Sequence, residues 1–423
     1  MKLPKGLRVS AAVAVTAAII APITTAVPRP ALAASTVTLR FATWDTGNLL
    51  TYEKQLTSQF EKANPSIQVQ VEAYGSGFDE KMAAAFGAGD PPDVEYMWNF
   101  PAYAPSLQPL DSLIAKDASV RSLVHQFYPA ILNYNRFQGK LYALPIGFTT
   151  QVIFYNKSLF RAAHLAFPKN GWTWNDFARD AKLLSHPGAK QFGCALPTQP
   201  DPYDWESLIW SNGGSWVSPN GKVLKGYLNS TQNAQALDMM GGLIHSKACT
   251  LAGGNNQLAP NDLFAAGKVA LEYDGDWPLA QYQAAKIDFG VVGLPAFPGK
   301  PVRDVIDQSG IAISSASHNQ AAAWKFALFY ASAQGQAVRL GDLPVSPSVA
   351  ANRNGVNLLS SPTYKAFYDM VPSCVNTPAS SLIANWGKVD SNIQNAISSV
   401  LLGQASAQSA LDDAVSTSQR YMQ

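Results

Sequence analysis

Tryptophan recurs beside a carboxylate or an amide at points where the chain changes character. Trp44-Asp45 follows one apolar run, and Trp98-Asn99 follows another. Asp201-Pro-Tyr203-Asp204-Trp205-Glu206 opens a helical pattern that ends at Gly213-Gly214. Trp277 follows the tight Asp274-Gly-Asp276 stretch, and Trp386 precedes a late apolar periodicity. Aromatic rings bury large area against a flat apolar partner, and ionised carboxylates accept strong hydrogen bonds. Together they suit a pyranose, which has two C–H faces and a polar rim of hydroxyls. Each position also has a plainer reading. Asp45 can cap the helix that follows it, and Asp201 can be a helix N-terminal acid. Asp274 and Asp276 can simply make the turn. Trp205 and Trp210 lie five apart on one helix and cannot face the same side. Phe60, Phe86, Phe177 and Trp324 fall at helical spacing and are expected in cores.

The elements that must position these residues alternate between short strands and amphipathic helices, which predicts α/β architecture. Val37–Thr43 reads as a strand, followed by a helix with Leu49, Tyr52, Leu56 and Phe60 on one face. Pro65 ends that helix, and Ile67–Val71 alternates as a second strand. Phe78, Met82 and Phe86 line the next helix, which Gly87, Gly89 and Pro91-Pro92 stop. Thr173 with Asp176 forms a helix start, and Ser361-Pro362 reads as another, with Pro at the first helical position. Val389, Ile393, Ile397 and Val400 mark a late helix that Gly403 closes. Trp44 then lies where the first strand gives way to its helix, the mouth of an α/β crevice.

Residues 1–33 read as a cleaved secretory leader: basic Lys2, Lys5 and Arg8, a short apolar run, then Ala31-Leu-Ala33. The leader holds four basic residues and no acid. Without it the 31 basic residues become 27 against 29 acidic, a net charge of −2. No cationic surface for nucleic acid is implied. Charged residues are 14% of the chain, well below the ~25% usual for soluble domains, so Asn, Gln, Ser and Thr supply the polarity, as suits a neutral ligand. The length exceeds one core's limit, so two lobes are expected. Cys194, Cys249 and Cys374 allow one bridge and one free thiol without deciding the pair. No cysteine near residue 33 offers a lipid anchor.

Several stretches, in order, resemble extracellular solute-binding proteins of family 1, the maltose-binding type. These are Phe60–Val71, Met82–Val94, Gly139–Ile146 leading into Phe154–Lys157, Trp172–Phe177, and Phe264–Ala270 leading to Asp274–Pro278. The resemblance spans about residues 37 to 420. It implies the two-lobed periplasmic-binding-protein (type II) fold, with a ligand cleft between lobes joined by three crossings. By position these fall near Pro145–Thr149, Leu294–Phe297 and Leu343–Ser346. Lobe one is then 34–145 plus 296–343, and lobe two 148–293 plus 346–423. In the family, positions matching Trp44, Asp45, Trp98, Asn99, Thr149, Asp201, Tyr203, Trp277 and Trp386 face the cleft; Phe148 joins them at the first hinge. Family membership further implies a mono- or oligosaccharide ligand, permease subunits of an ABC importer as partners, a monomer, and export to the periplasm or cell surface.

Two departures from the maltose-binding pattern, Thr149 and Trp98-Asn99, predict a cleft with fewer acids and more aromatic surface. No cofactor, metal or catalytic group is indicated. Gly213-Gly-Ser215-Trp-Val217 lacks the last glycine of a nucleophile elbow, and the five histidines are scattered. A secreted glycoside hydrolase would need a facing acid pair, and none stands out. The same fold binding a polyamine or glycerol phosphate is the other alternative. A phosphate calls for Arg or Lys at the cleft, and Arg303 is the one basic residue placed near a crossing.

Overall fold

The computed structural model describes residues 36–254 and 258–422; the expected leader at 1–33 lies outside the described residues. The chain begins with β1 (Val37–Thr43), α1 (Gly47–Ala63), β2 (Ile67–Ala73), α2 (Phe78–Ala88), β3 (Val94–Met97) and β4 (Ala143–Thr150). It continues through β5 (Val152–Asn156), α3 (Trp174–Leu184), β6 (Phe192–Pro197), α4 (Pro202–Ser211), α5 (Thr231–His245), β7 (Cys249–Ala252), β8 (Val269–Asp274) and β9 (Phe289–Val292). It then returns as β10 (Ile306–Ile313), α6 (Gln320–Ala331) and α7 (Ala333–Val338), and ends with α8 (Pro347–Ala351), α9 (Lys365–Met370), α10 (Trp386–Leu401) and α11 (Ala407–Ser418).

Local chemistry accounts for most of these boundaries. β1 buries residues on both faces, as a strand covered by helices must. Its Phe41 meets Phe326 of α6 edge-on at 5.3 Å, and Phe60 of α1 meets the same ring at 5.0 Å. α2 stops at Gly89, whose φ of +71° suits glycine. The capping box of α3 is present, with Thr173 and Asp176 bonded reciprocally. Phe60 and Phe177 are buried, while Phe86 and Trp324 pack half-buried against the core. α10 ends ahead of Gly403, at φ +71°. Pro362, by contrast, does not start a helix. It sits in a turn closed by the Lys365 N–H donating to the Ser361 carbonyl, 2.8 Å, and α9 begins after it.

Two five-stranded sheets result, in the orders β2-β1-β3-β10-β4 and β9-β5-β8-β6-β7. In the first, β1 is parallel to β2 and β3, and β10 runs antiparallel between β3 and β4. In the second, β6, β7 and β8 are parallel, and β5 is antiparallel to β8 and β9. Only Gln151 separates β4 in one sheet from β5 in the other, which makes it the first crossing. The second crossing is later than the Leu294–Phe297 expected from sequence. Ala296 still belongs with the second lobe, exchanging hydrogen bonds with Trp172 and Trp174 at 2.9 and 3.0 Å. The chain changes sheets at Asp304–Val305, where Asp304 accepts from the Gln151 N–H. At the third, Leu343 pairs in both directions with Phe148. The segment after it stays with lobe one: Tyr128 N–H donates to Val345 at 3.0 Å, and α8 packs on α7. Lobe two therefore resumes after α8 rather than at residue 346, and α9 lies across both β4 and β5.

The cysteine pair that sequence left open is Cys194–Cys249, directly opposite each other on parallel β6 and β7; Cys374 is free. The bridge spans 55 residues, a loop whose closure entropy corresponds to about 4 kcal/mol in the chain-entropy model. The Cys194→Ser/Cys249→Ser variant is expected to lose a stability of that order, read as a lower urea midpoint than the oxidised protein shows. Coincident urea curves would mean that the bridge adds nothing to stability.

Candidate ligand-binding cleft

The parallel strands of both sheets send their carboxyl ends toward one place, the usual position of an α/β binding crevice. Trp44 follows β1 and Trp98 follows β3; Asp201 follows β6 and Trp277 follows β8. They meet at a cavity of about 1,060 Å³ lined by residues of both lobes. A second cavity, about 920 Å³, shares Tyr134 with it but contains no tryptophan and no acid.

The first-lobe wall is aromatic. Trp44 is 41% exposed and meets Trp98 edge-on at 5.6 Å, and Trp98 rests on Phe78 at 4.9 Å. Asn99 lines the cavity but also caps the short helix after it, accepting from the Ala102 N–H at 3.3 Å. Asp45 fits neither plain sequence reading alone. It does not cap α1, whose cap position is Thr46. Asp45 lines the cavity while only 3% exposed, and its carboxylate is ion-paired with Arg339 at 2.9 Å.

The opposite wall comes from α4, the β8 turn and α10. Asp201 caps α4, accepting from the Tyr203 N–H at 2.9 Å, and also lines the cavity. Tyr203 donates its hydroxyl to the Ile306 carbonyl at 2.6 Å and lies 3.0 Å from the Tyr134 hydroxyl. Trp277 is 47% exposed and folds back over Gly275, where a Cβ would meet its ring at 2.6 Å. Trp386 is the first residue of α10 rather than preceding it, and also lines the cavity. Trp205 and Trp210 are both buried.

Phe148 is the site expectation the structure overturns. It is 1% exposed, with its ring 5.5 Å from Tyr368 and 6.1 Å from Tyr128. Alternation along β4 explains this: Gly147 and Thr149 face the cavity, so the residue between them faces away. Thr149 accepts from the Asp276 N–H at 2.9 Å, linking the first crossing to the β8 turn.

The cavity is nonetheless well supplied with acids. Asp45, Asp79, Asp201, Asp276, Asp307, Asp342 and Asp390 all line the cavity, and among the described residues Arg353 is its one basic side chain. Asp390 lies four residues after Trp386, a spacing that puts both on one helix face. Asp307 and Gln308 arrive through β10 pairing with β4, which no local pattern signals. Gln308 lines the cavity, and its Nε2 is buried with no partner among the described residues. Gln151 Nε2 donates to Asp204 and Asp307 at 3.0 and 2.8 Å. Among the described residues no group of His, Cys, Asp and Glu is arranged to hold a metal ion.

Burial governs the protonation of Asp276, Asp307 and Asp390. It pushes Asp307 up to about 8 against the Gln151 hydrogen bond, and the Asp201 and Asp274 charges add to it. Burial and then the charge of Asp201 raise Asp390 to about 8. Asp276 is raised by burial and then by Asp342. An unfolded Asp titrates near ~3.9, so the folded state holds these protons more tightly. The stabilising contribution of Asp307 and Asp390 is complete below that value and is lost as pH rises through about 8. Asp390→Asn is therefore expected to gain steadily on the parent in melting temperature as pH rises from about 4 to about 8, and to keep that lead above it. Parallel melting-temperature profiles would show that Asp390 titrates normally.

The model of the bacterial extracellular solute-binding protein family matches residues 44–337. A probable ABC transporter-binding protein of Deinococcus radiodurans is 26% identical over 311 residues, covering 68% of this chain and 70% of the relative. The maltotriose-binding protein of Pyrococcus abyssi is 24% identical, covering 84% of this chain and 75% of the relative. A solved ABC substrate-binding protein of Listeria monocytogenes, in complex with cycloalternan, is 24% identical at a TM-score of 0.79. That match covers 92% of this chain and 99% of the other, and establishes the shared two-lobed fold. With the family model covering most of the sequence, and the crevice placed where two α/β sheets converge, this chain belongs to the bacterial extracellular solute-binding protein family.

Proposed function

We propose that this chain captures a short oligosaccharide by closing its two lobes on it and delivers it to the permease subunits of an ABC importer. The observation that carries the reading is the lining of the cleft. Trp44 and Trp98 come from one lobe and Trp277 and Trp386 from the other, with acidic residues and Gln308 between them. Rings from two bodies can grip the two faces of sugar residues, while acceptors and donors take the hydroxyls. Closure is stabilised only by a ligand that touches both lobes more strongly when they are shut. The volume exceeds what one pyranose fills, which favours several sugar units. The maltotriose-binding relative supports the same class.

The reading assigns the acids to binding without turnover, in a monomer exported to the periplasm or cell surface. A cationic solute such as a polyamine is the second reading, favoured by the excess of carboxylates over the lone Arg353. Glycerol phosphate is disfavoured, because the Arg353 guanidinium is committed to the carbonyls of Arg339 and Asp342.

Calorimetry with maltotriose, alongside a thermal-shift panel of other oligosaccharides, spermidine and glycerol 3-phosphate, separates these readings. Trp277→Ala is expected to weaken saccharide binding by at least ~1.4 kcal/mol, tenfold. Stabilisation by spermidine alone would replace the saccharide reading with the second one. Unchanged affinity in Trp277→Ala would remove that ring from the site.

A further inference from the structure

Arg339, just past α7, lies beneath the first-lobe wall and is 3% exposed. Its guanidinium pairs with Asp45 at 2.9 Å, with Glu53 of α1, and with Asp342. It also donates to the hydroxyls of Tyr330, at 2.6 Å, and Tyr96. The Tyr96 ring lies beneath it with its centroid 5.0 Å away. Three carboxylates thus share one planar fork whose five donors leave at fixed angles, a geometry lysine cannot reproduce.

Two of those three carboxylates, Asp45 and Asp342, line the cleft, and Arg339 itself does not. Asp342 also lies against the first crossing: a Cβ on Gly147 would sit 2.7 Å from its Oδ2. The next residue, Leu343, is the one that pairs with Phe148. Arg353 fastens the segment further by donating to the Asp342 carbonyl at 2.7 Å and to the Arg339 carbonyl. One buried cation therefore joins the end of β1, helix α1 and the third crossing.

We propose that Arg339 is a positioning residue for solute binding: it holds Asp45 and Asp342 as a preformed pair of acceptors on the first-lobe wall and fixes that pair to the hinge. Preformed acceptors spare the ligand the cost of ordering them. This inference rests on the saccharide reading only for its choice of probe.

The test compares Arg339→Lys, Asp45→Asn and the double variant in maltotriose calorimetry, each below its own melting transition. Arg339→Lys keeps the charge and loses the fork. It is expected to weaken binding roughly tenfold, and the double variant to bind about as weakly as Asp45→Asn alone, since both changes break one unit. Hydrogen exchange of the ligand-free Arg339→Lys protein should quicken at residues 44–47 and 340–345. A merely structural role predicts a lower melting temperature with affinity unchanged, or additive losses, and either result overturns the proposal. Should Arg339→Lys fail to fold, Gly147→Ala displaces Asp342 from its other side and is expected to weaken binding and loosen 340–345; wild-type affinity and exchange there would overturn the proposal equally. If no saccharide binds the parent protein, the function proposed above falls, and exchange at the two segments decides this inference by itself.

Discussion

The molecule depends on the antiparallel pairing of Ala143–Thr150 with Ile306–Ile313. These strands complete the first sheet, and both connect to the second lobe at the same end. Their register sets Thr150 opposite Ile306 and Thr149 opposite Asp307, so the floor of the cleft and the axis between the lobes are one object. Leu343 adds a third chain to that axis through Phe148. With one residue, Gln151, between the last strand of one sheet and the first of the other, the lobes can turn relative to each other only through a few backbone dihedrals. Side chains mounted on the axis therefore keep their places while those on the two walls approach.

The cleft joins two chemistries that are costly to bury apart. Indole surface gains from leaving water, whereas a carboxylate leaving water must be paired, hydrogen-bonded or protonated. Asp45 and Asp342 of the first lobe take the first course, held by Arg339. The acids of the opposite wall and the floor take the others: Asp201 accepts a backbone N–H, Asp307 accepts from Gln151, and Asp390 is raised by burial. The two walls thus present different acceptors, one fixed by a shared ion pair, the other including groups that carry protons near neutrality.

Much of this was legible residue by residue wherever the signal was local. Thr173 with Asp176, the stop at Gly89 and the periodicity of the late helix each rest on contacts within one turn, and the structure contains all of them. Tryptophans at strand ends reach the cleft because parallel strands deliver their carboxyl ends to one edge. Phe148 failed because position along the chain was considered without the alternation that turns every second residue away. The second crossing failed because proline marks a restricted backbone without saying which sheet it borders; Ala296 is claimed by Trp172, more than a hundred residues earlier. Asp307, Gln308 and Arg339 left no local trace. Their place is set by pairings across long stretches of chain, which spacing alone does not encode.

The strand order carries a consequence for how the protein comes into being. β10 lies between β3 and β4 in the first sheet, yet it is made long after both. Until it arrives, each of those earlier strands has an open edge facing a gap that nothing else in the chain fills, and open edges invite wrong partners. The first lobe cannot complete its sheet during synthesis of the second, and its closure must wait on a contact of very high sequence separation, which is slow to form. A chain built this way keeps its first sheet unfinished until Ile306–Ile313 has been made.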